Sequence, residues 1–262
     1  MKRFQLFEFG DQAWLSGWMR EGYLDCLSFI HRFYQPYYGL LPTIRQWAEH
    51  EKASAILDIG SGSAEHIAVL LEAYKKSRLT PPHFILSDLY PDIHTYEKLE
   101  KKYGKEVITY IEHPLSALNI QGTDVRHWSI FTTFHHFSPT DAHQLLQQLS
   151  LKGDGLCILE LTQRSVFQAF LMLSGLPVHL LVPFFSRTFG MKKMLFTTII
   201  PIIPLMVAFD GVVSVLRSYT QDEIYNLMPP DSHQTFNFEY KEVRWRYMPL
   251  CKATAVFLTR KR

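Results

Sequence analysis

The stretch Ile56-Leu57-Asp58-Ile59-Gly60-Ser61-Gly62-Ser63-Ala64-Glu65 joins an apolar run to two glycines, with a carboxylate on either side. That order suits a buried strand that turns sharply and opens a helix. Gly60 and Gly62 permit positive φ and leave room for a ligand to lie against the backbone. The free amides at the start of the following helix then face the ligand's polar end. A dinucleotide fingerprint requires glycine where this chain has Glu65, and a carboxylate there repels a pyrophosphate. The turn is therefore expected to take a ligand that carries an amino group and no phosphate. Asp58, beneath the turn, is expected to help hold that ammonium, directly or through water. Asp88 ends the next apolar run, where an acid accepts hydrogen bonds from both hydroxyls of a ribose.

A second set of residues offers acid–base chemistry. Phe134-His135-His136-Phe137 follows a further apolar run, and an imidazole with an ordinary pKa of about 6.5 can take a proton from an acceptor hydroxyl. No third ligand stands at a convincing spacing from the two histidines, so no metal is expected. Glu160 and Arg164, after the next run, either orient a polar substrate group or pair with each other. Arg217 and Tyr219 are candidates for an acceptor pocket. Between them and the preceding apolar stretch, Asp210-Gly211 reads as a turn, and Thr220 with Glu223 reads as a helix cap with its capping-box partner.

These residues need a scaffold, and the chain is long enough for one. Its 262 residues are 47% apolar, which suffices for a core without disulfides or metal. Short apolar runs at 55–59, 84–87, 107–111, 129–133 and 156–161 alternate with amphipathic stretches at 65–76, 93–103 and 140–149, the pattern of βαβ units and a parallel sheet. Helical spacing of Tyr23, Leu27, Ile30 and Tyr34 predicts a helix that stops at Pro36, and a second is expected over 42–50. Residues 166–185 and 195–209 are apolar but broken by prolines and polar side chains, so short helices are expected there and not a bilayer span. They form either a cap or a surface that meets a membrane. Phe236, Phe238 and Tyr240 alternate with polar residues, and with the run at 253–258 they predict an antiparallel pair at one sheet edge.

The balance of 27 basic against 25 acidic side chains, a net charge of +2, gives no field for nucleic acid. Cys26, Cys157 and Cys251 show neither C-x-x-C nor zinc spacing, and the first ten residues lack an apolar signal core. A reducing, cytoplasmic setting is expected, with possible contact of the apolar insertion at the inner membrane face.

Asp58-Ile59-Gly60-Ser61-Gly62 resembles the D-x-G-x-G signature of class I S-adenosylmethionine-dependent methyltransferases, with Asp88 at the place of that family's ribose-binding acid. The resemblance covers roughly residues 54–163 and the closing strand pair. It implies an α/β Rossmann-like fold with a seven-stranded, mostly parallel sheet, helices on both faces and S-adenosyl-L-methionine across the strand ends. The expected organisation is an N-terminal helical segment (1–50), the cofactor-binding core (51–164), an apolar helical cap (165–219) and a completing helix and strand pair (220–262). By this resemblance Gly60, Ser61 and Gly62 line the methionine part, Asp88 and Leu89 the ribose, and Ser116 and Ala117 the adenine. The chain departs from the family at Ala64, often a third glycine, and at 113–118, which lacks the acid that commonly meets the adenine.

The segment from Phe209 to Thr220, the Phe-His-His-Phe stretch and Asp11-Gln12-Ala13-Trp14 resemble an uncharacterised bacterial branch of the family, which adds Trp14 to the candidate substrate contacts. The implied activity is methyl transfer to a small, hydrophobic acceptor, with O-methylation favoured by the histidines. Cofactor binding without transfer, and a membrane-docked binding protein, are the competing readings.

Overall fold

The structure is a computed structural model and describes residues 1–12, 14–15, 17–50, 53–185 and 190–261; Ala13, named above, falls outside this set. Among the described residues one sheet holds β1 (Ile56–Ile59), β2 (Phe84–Ser87), β3 (Ile108–Tyr110), β4 (His127–Phe131), β5 (Gly155–Glu160), β6 (Phe236–Arg244) and β7 (Lys252–Arg260). Their spatial order is β3-β2-β1-β4-β5-β7-β6. Strands β1 to β5 are parallel, and β7 runs antiparallel between β5 and β6. The strand order reverses between β1 and β4, so a crevice opens at their carboxyl ends.

The strands obey the expected burial logic. β1 and β5 are buried along their whole length, as unbroken apolar runs require when both faces of a parallel sheet are covered. β6, at the edge, alternates partly exposed and covered positions. Helices α1 (Gly17–Tyr34) and α2 (Leu41–His50) precede the sheet, and α3 (Glu65–Lys76), α4 (Ile93–Tyr103) and α5 (Pro139–Lys152) connect its parallel strands. Asp92 and Ser138 cap α4 and α5 by accepting from Thr95 N and Asp141 N, which fixes where those helices begin.

The apolar insertion folds as α6 (Val166–Ser174), α7 (Leu176–His179), α8 (Met191–Met194) with a π turn over Leu195–Ile199, and α9 (Ile202–Arg217). Then come α10 (Gln221–Leu227), which starts with the expected Thr220–Glu223 capping box, and α11 (Ser232–Thr235). No single described helix is long and apolar enough to cross a membrane; Met191–Ile199 and Ile202–Arg217 meet at a 62° bend. Leu15, Tyr23, Cys26, Val182, Ile203, Met206 and Val207 form one apolar cluster, so α1 and the insertion pack as a joint layer.

Asp210-Gly211 corrects the sequence reading. The pair is not a turn but lies inside α9. The Asp210 carboxylate accepts from the amides of Phe9 and Gly10 at 2.8 and 2.9 Å and from the Tyr23 hydroxyl at 2.7 Å. Gly211 leaves room for Met172, whose Cβ would stand 3.3 Å from an added Cβ. Turn-forming residue types serve tertiary contacts here, and the contacts override local preference.

Candidate functional site

The glycine turn after β1 is built as the sequence predicts. Gly60 and Gly62 have φ of +74° and +54°. A Cβ on Gly60 would meet Thr133 Cγ2 at 2.9 Å, whereas one on Gly62 would meet nothing within 4 Å. Ala64 holds a third left-handed position, φ +51°, where a side chain costs about 1–2 kcal/mol. Its amide bonds to Ser61 O at 2.6 Å and its methyl is fully buried, which keeps it there.

Asp58 supports this turn from behind. It is fully buried, and its oxygens accept from the Ser61 and Ser129 hydroxyls at 2.7 Å each, with His66 Nε2 at 3.1 Å. All three neighbours are protein groups, so Asp58 braces the loop from within the protein. Asp88 grips the same turn from β2: one oxygen accepts from Gly62 N and the other from Tyr90 N, both at 2.7 Å. Leu115 N bonds to Asp88 O at 2.9 Å, which brings the Ser116 and Ala117 segment beside the acid. Ser116 Oγ accepts from Leu118 N, Ala117 O accepts from Gln148, and Leu89 is exposed.

A cavity of about 350 Å³ runs from this turn beneath the N-terminal segment. Gly60, Ser61, Gly62, His135, His136 and Glu160 line it, whereas Asp88, Leu89, Ser116 and Ala117 flank the turn outside it. Its apolar wall includes Leu24, Leu27, Ile30, Met172 and Val207. The structure thus unites the loop and the paired histidines, which stand more than 70 residues apart in sequence.

His135 and His136 sit on a short 3-10 turn, Phe134–His136, just past β4. Glu160, at the end of β5, accepts from the His135 amide at 3.1 Å and from its Nδ1 at 2.6 Å. This orients the imidazole with Nε2 directed away from β5. Burial opposes a charge on His135, but Glu160 and Glu8 outweigh it and hold the imidazole above its ordinary pKa. His136 is less buried, and its Nδ1 lies 3.1 Å from the Asp11 carboxylate.

The other expected substrate contacts do not line the cavity. Arg164 pairs with Glu223 at 2.6 Å, not with Glu160, because Glu160 is taken by His135. Arg217 is buried between Glu8, Asp11 and His136, at 3.1–3.2 Å from each. Tyr219 donates to Phe137 O at 2.8 Å and supports the Arg3 guanidinium, 4.1 Å from its ring. Trp14 is 59% exposed, edge-on to Phe9. Arg217 and Tyr219 therefore hold the wall from outside, and only Glu160 of the five reaches the cavity itself.

Glu8 and Asp11 escaped the sequence reading as site residues, as did the buried His31. Glu8 is 4% exposed despite its charge and lies within 3.7 Å of both imidazoles. The N-terminal segment that carries it is anchored by the Asp210 clamp and by Arg3, which donates to the carbonyls of His135, Phe137 and Arg217. Burial pushes the His31 imidazole down to about 3 and that of His179 to about 4.

No protein-family profile and no curated protein sequence matches this chain. Solved structures do. A plantazolicin methyltransferase in complex with SAH is 14% identical, with a TM-score of 0.54 over 95% of this chain and 93% of its own. An O-methyltransferase from neocarzinostatin biosynthesis, in complex with S-adenosylmethionine and 2-hydroxy-5-methyl naphthoic acid, is 13% identical with a TM-score of 0.51; 92% of this chain covers 58% of that one. A putative O-methyltransferase from Nostoc punctiforme is 12% identical, with a TM-score of 0.50 over 95% of this chain and 63% of its own. The sheet order and these likenesses show the class I methyltransferase fold, Rossmann-like, with helices on both faces and helical insertions.

Proposed function

We propose that this chain binds S-adenosyl-L-methionine on the turn between β1 and α3 and transfers its methyl group to a small, hydrophobic acceptor, favouring a hydroxyl. The observation that carries this reading is one cavity that joins the Gly60–Gly62 turn to His135 and its Glu160 partner. The residues fit the cofactor. Gly62 presents open space where any side chain would project, and Glu65, paired with Arg32 at 2.7 Å, disfavours a phosphate at the start of α3. Asp88 offers two carboxylate oxygens beside the turn for a diol. When bound, the cofactor supplies a methyl group already activated on a sulfonium, so the protein's task is alignment and exclusion of water.

This chain's own groups divide that task. Gly60, Ser61 and Gly62 hold the donor's amino-acid end, and Asp58 keeps the loop in shape. The apolar wall of Leu24, Leu27, Met172 and Val207 selects a greasy acceptor and keeps the cavity dry. Glu160 fixes His135 so that Nε2 can accept the acceptor's proton, with His136 beside it. Replacing His135 by Ala is expected to lower turnover about 100-fold while S-adenosylhomocysteine affinity is retained. Formation of S-adenosylhomocysteine with a panel of phenols, quinones and lipids is the assay. Full turnover in the His135 and His136 variants alike excludes the base, and no turnover with any acceptor supports a binding protein instead.

A second feature bears on where the acceptor is met. Phe167, Phe170 and Leu173 on α6, with Leu205 and Phe209 on α9, are exposed. We read these as the surface through which a lipophilic acceptor reaches the cavity, with peripheral membrane contact as its most direct form.

A further inference from the structure

We infer that Glu8, His135 and His136 form a binding site for one divalent transition-metal ion, with an open position facing the cavity. Four observations converge on it. Glu8 Oε1 lies 3.7 Å from His135 Nε2, and Glu8 Oε2 lies 3.6 Å from His136 Nε2. Bonds of about 2.0–2.2 Å in a tetrahedral site place neighbouring ligand atoms about 3.3–3.6 Å apart, so a set spread over up to 4.8 Å closes by about an ångström through side-chain rotation as the ion binds. The candidate ligand atoms of all three residues fall within 4.8 Å of one another.

The second observation is orientation. Each imidazole has its Nδ1 against a carboxylate, Glu160 for His135 at 2.6 Å and Asp11 for His136 at 3.1 Å, with Arg217 Nη1 also 3.2 Å from His136 Nδ1. That leaves both Nε2 atoms for a common third partner, the carboxylate–histidine–metal arrangement. The third is an orphan: His135 Nε2 is buried without a hydrogen-bond partner. Such an atom needs a partner, and a cation supplies one. The fourth is charge. Arg217 pairs with Glu8 and Asp11 and, with Ser214, engages Glu8 Oε1, while Glu160 is held by His135. Carboxylates thus outnumber the guanidinium around the two imidazoles, a balance that favours a cation.

Two imidazoles and one carboxylate suit zinc and its neighbours in the first transition row, not magnesium or calcium. Because all three residues line the cavity, an oxygen-bearing acceptor can occupy the open position. An ion held there would occupy the His135 Nε2 lone pair and would itself polarise the acceptor oxygen, in place of His135 acting as base. This use rests on the acceptor reading above; the ion site itself does not.

The test is calorimetric titration of chelator-treated full-length protein with Zn²⁺, in the absence of cofactor. One-to-one binding is expected, weakened more than about 100-fold in Glu8→Gln and in His136→Ala. The positioning variant Glu160→Gln is expected to lose about 10–100-fold. His94→Ala, on the exposed face of α4, is expected to bind as the wild type does. Absence of stoichiometric binding, or binding that survives both ligand variants, overturns the site. X-ray absorption of the zinc-loaded wild-type chain reads the ligands without relying on variants. Two imidazoles with oxygen support the site; one imidazole or none overturns it. A separate S-adenosylhomocysteine titration reports on the donor loop, so failure of either reading is visible apart from the other.

Discussion

Single substitutions in the turn after β1 separate its structural cost from its role as a cradle. Gly60→Ala meets two penalties. Its φ of +74° is left-handed, which costs a side chain about 1–2 kcal/mol, and the new methyl stands 2.9 Å from Thr133 Cγ2, an overpacking that costs about 1–3 kcal/mol. A loss of about 2–5 kcal/mol of stability is expected. Gly62→Ala has the same backbone penalty at φ +54° but no atom within 4 Å, so about 1 kcal/mol is expected, offset in part by a stiffer unfolded chain. Ala64→Gly relieves the strain at φ +51° but removes a fully buried methyl and loosens the unfolded chain, so a stability change of less than about 1 kcal/mol is expected. Urea titration measures these stabilities, and calorimetry with S-adenosylhomocysteine measures affinity. Gly62→Ala is the decisive member. Its methyl enters the space assigned to the ligand, so affinity is expected to fall at least tenfold, about 1.4 kcal/mol, in a protein that stays folded. A folded Gly62→Ala variant with unchanged affinity refutes the cradle.

Two other predictions concern Asp88 and His31. Asp88→Ala removes the carboxylate that braces Gly62 N and is assigned to the ribose, so affinity for S-adenosylhomocysteine is expected to fall by about 1–3 kcal/mol; equal calorimetric affinities would remove Asp88 from the site. His31 is neutral when folded, with its imidazole pushed down to about 3 from 6.5, so the unfolded chain takes up a proton first as pH falls. The stability present above pH 6.5 is therefore lost progressively toward pH 3, about 2 kcal/mol of it by about pH 5. Urea titrations across that range should show a shallower acid loss in His31→Gln, and identical slopes in variant and wild type would contradict this.

How much of this was legible in the sequence depended on the range of the forces involved. Strand β2 and helices α3 and α4 lie where the pattern put them, because apolar runs and helical periodicity are local consequences of burial. The Gly60–Gly62 turn and the Thr220–Glu223 box were legible for the same reason: each is a short-range device with a residue requirement of its own. The paired histidines were recognised, but not their partners. Glu160 pairs with His135, and Arg164 turned to Glu223, because each choice is settled by tertiary geometry between elements far apart in the chain. Glu8 gave no local signal at all. Its burial depends on Asp210, about two hundred residues away, which receives Phe9 N and Gly10 N inside a helix that the sequence reads as a turn. Partners that arrive from a distant segment escape any argument from spacing.

Calorimetric titration of the purified chain with S-adenosylhomocysteine and, separately, with NAD measures the central claim directly. One equivalent of S-adenosylhomocysteine bound and no heat from NAD is the expected result. Uptake of NAD, or silence with both, would contradict it.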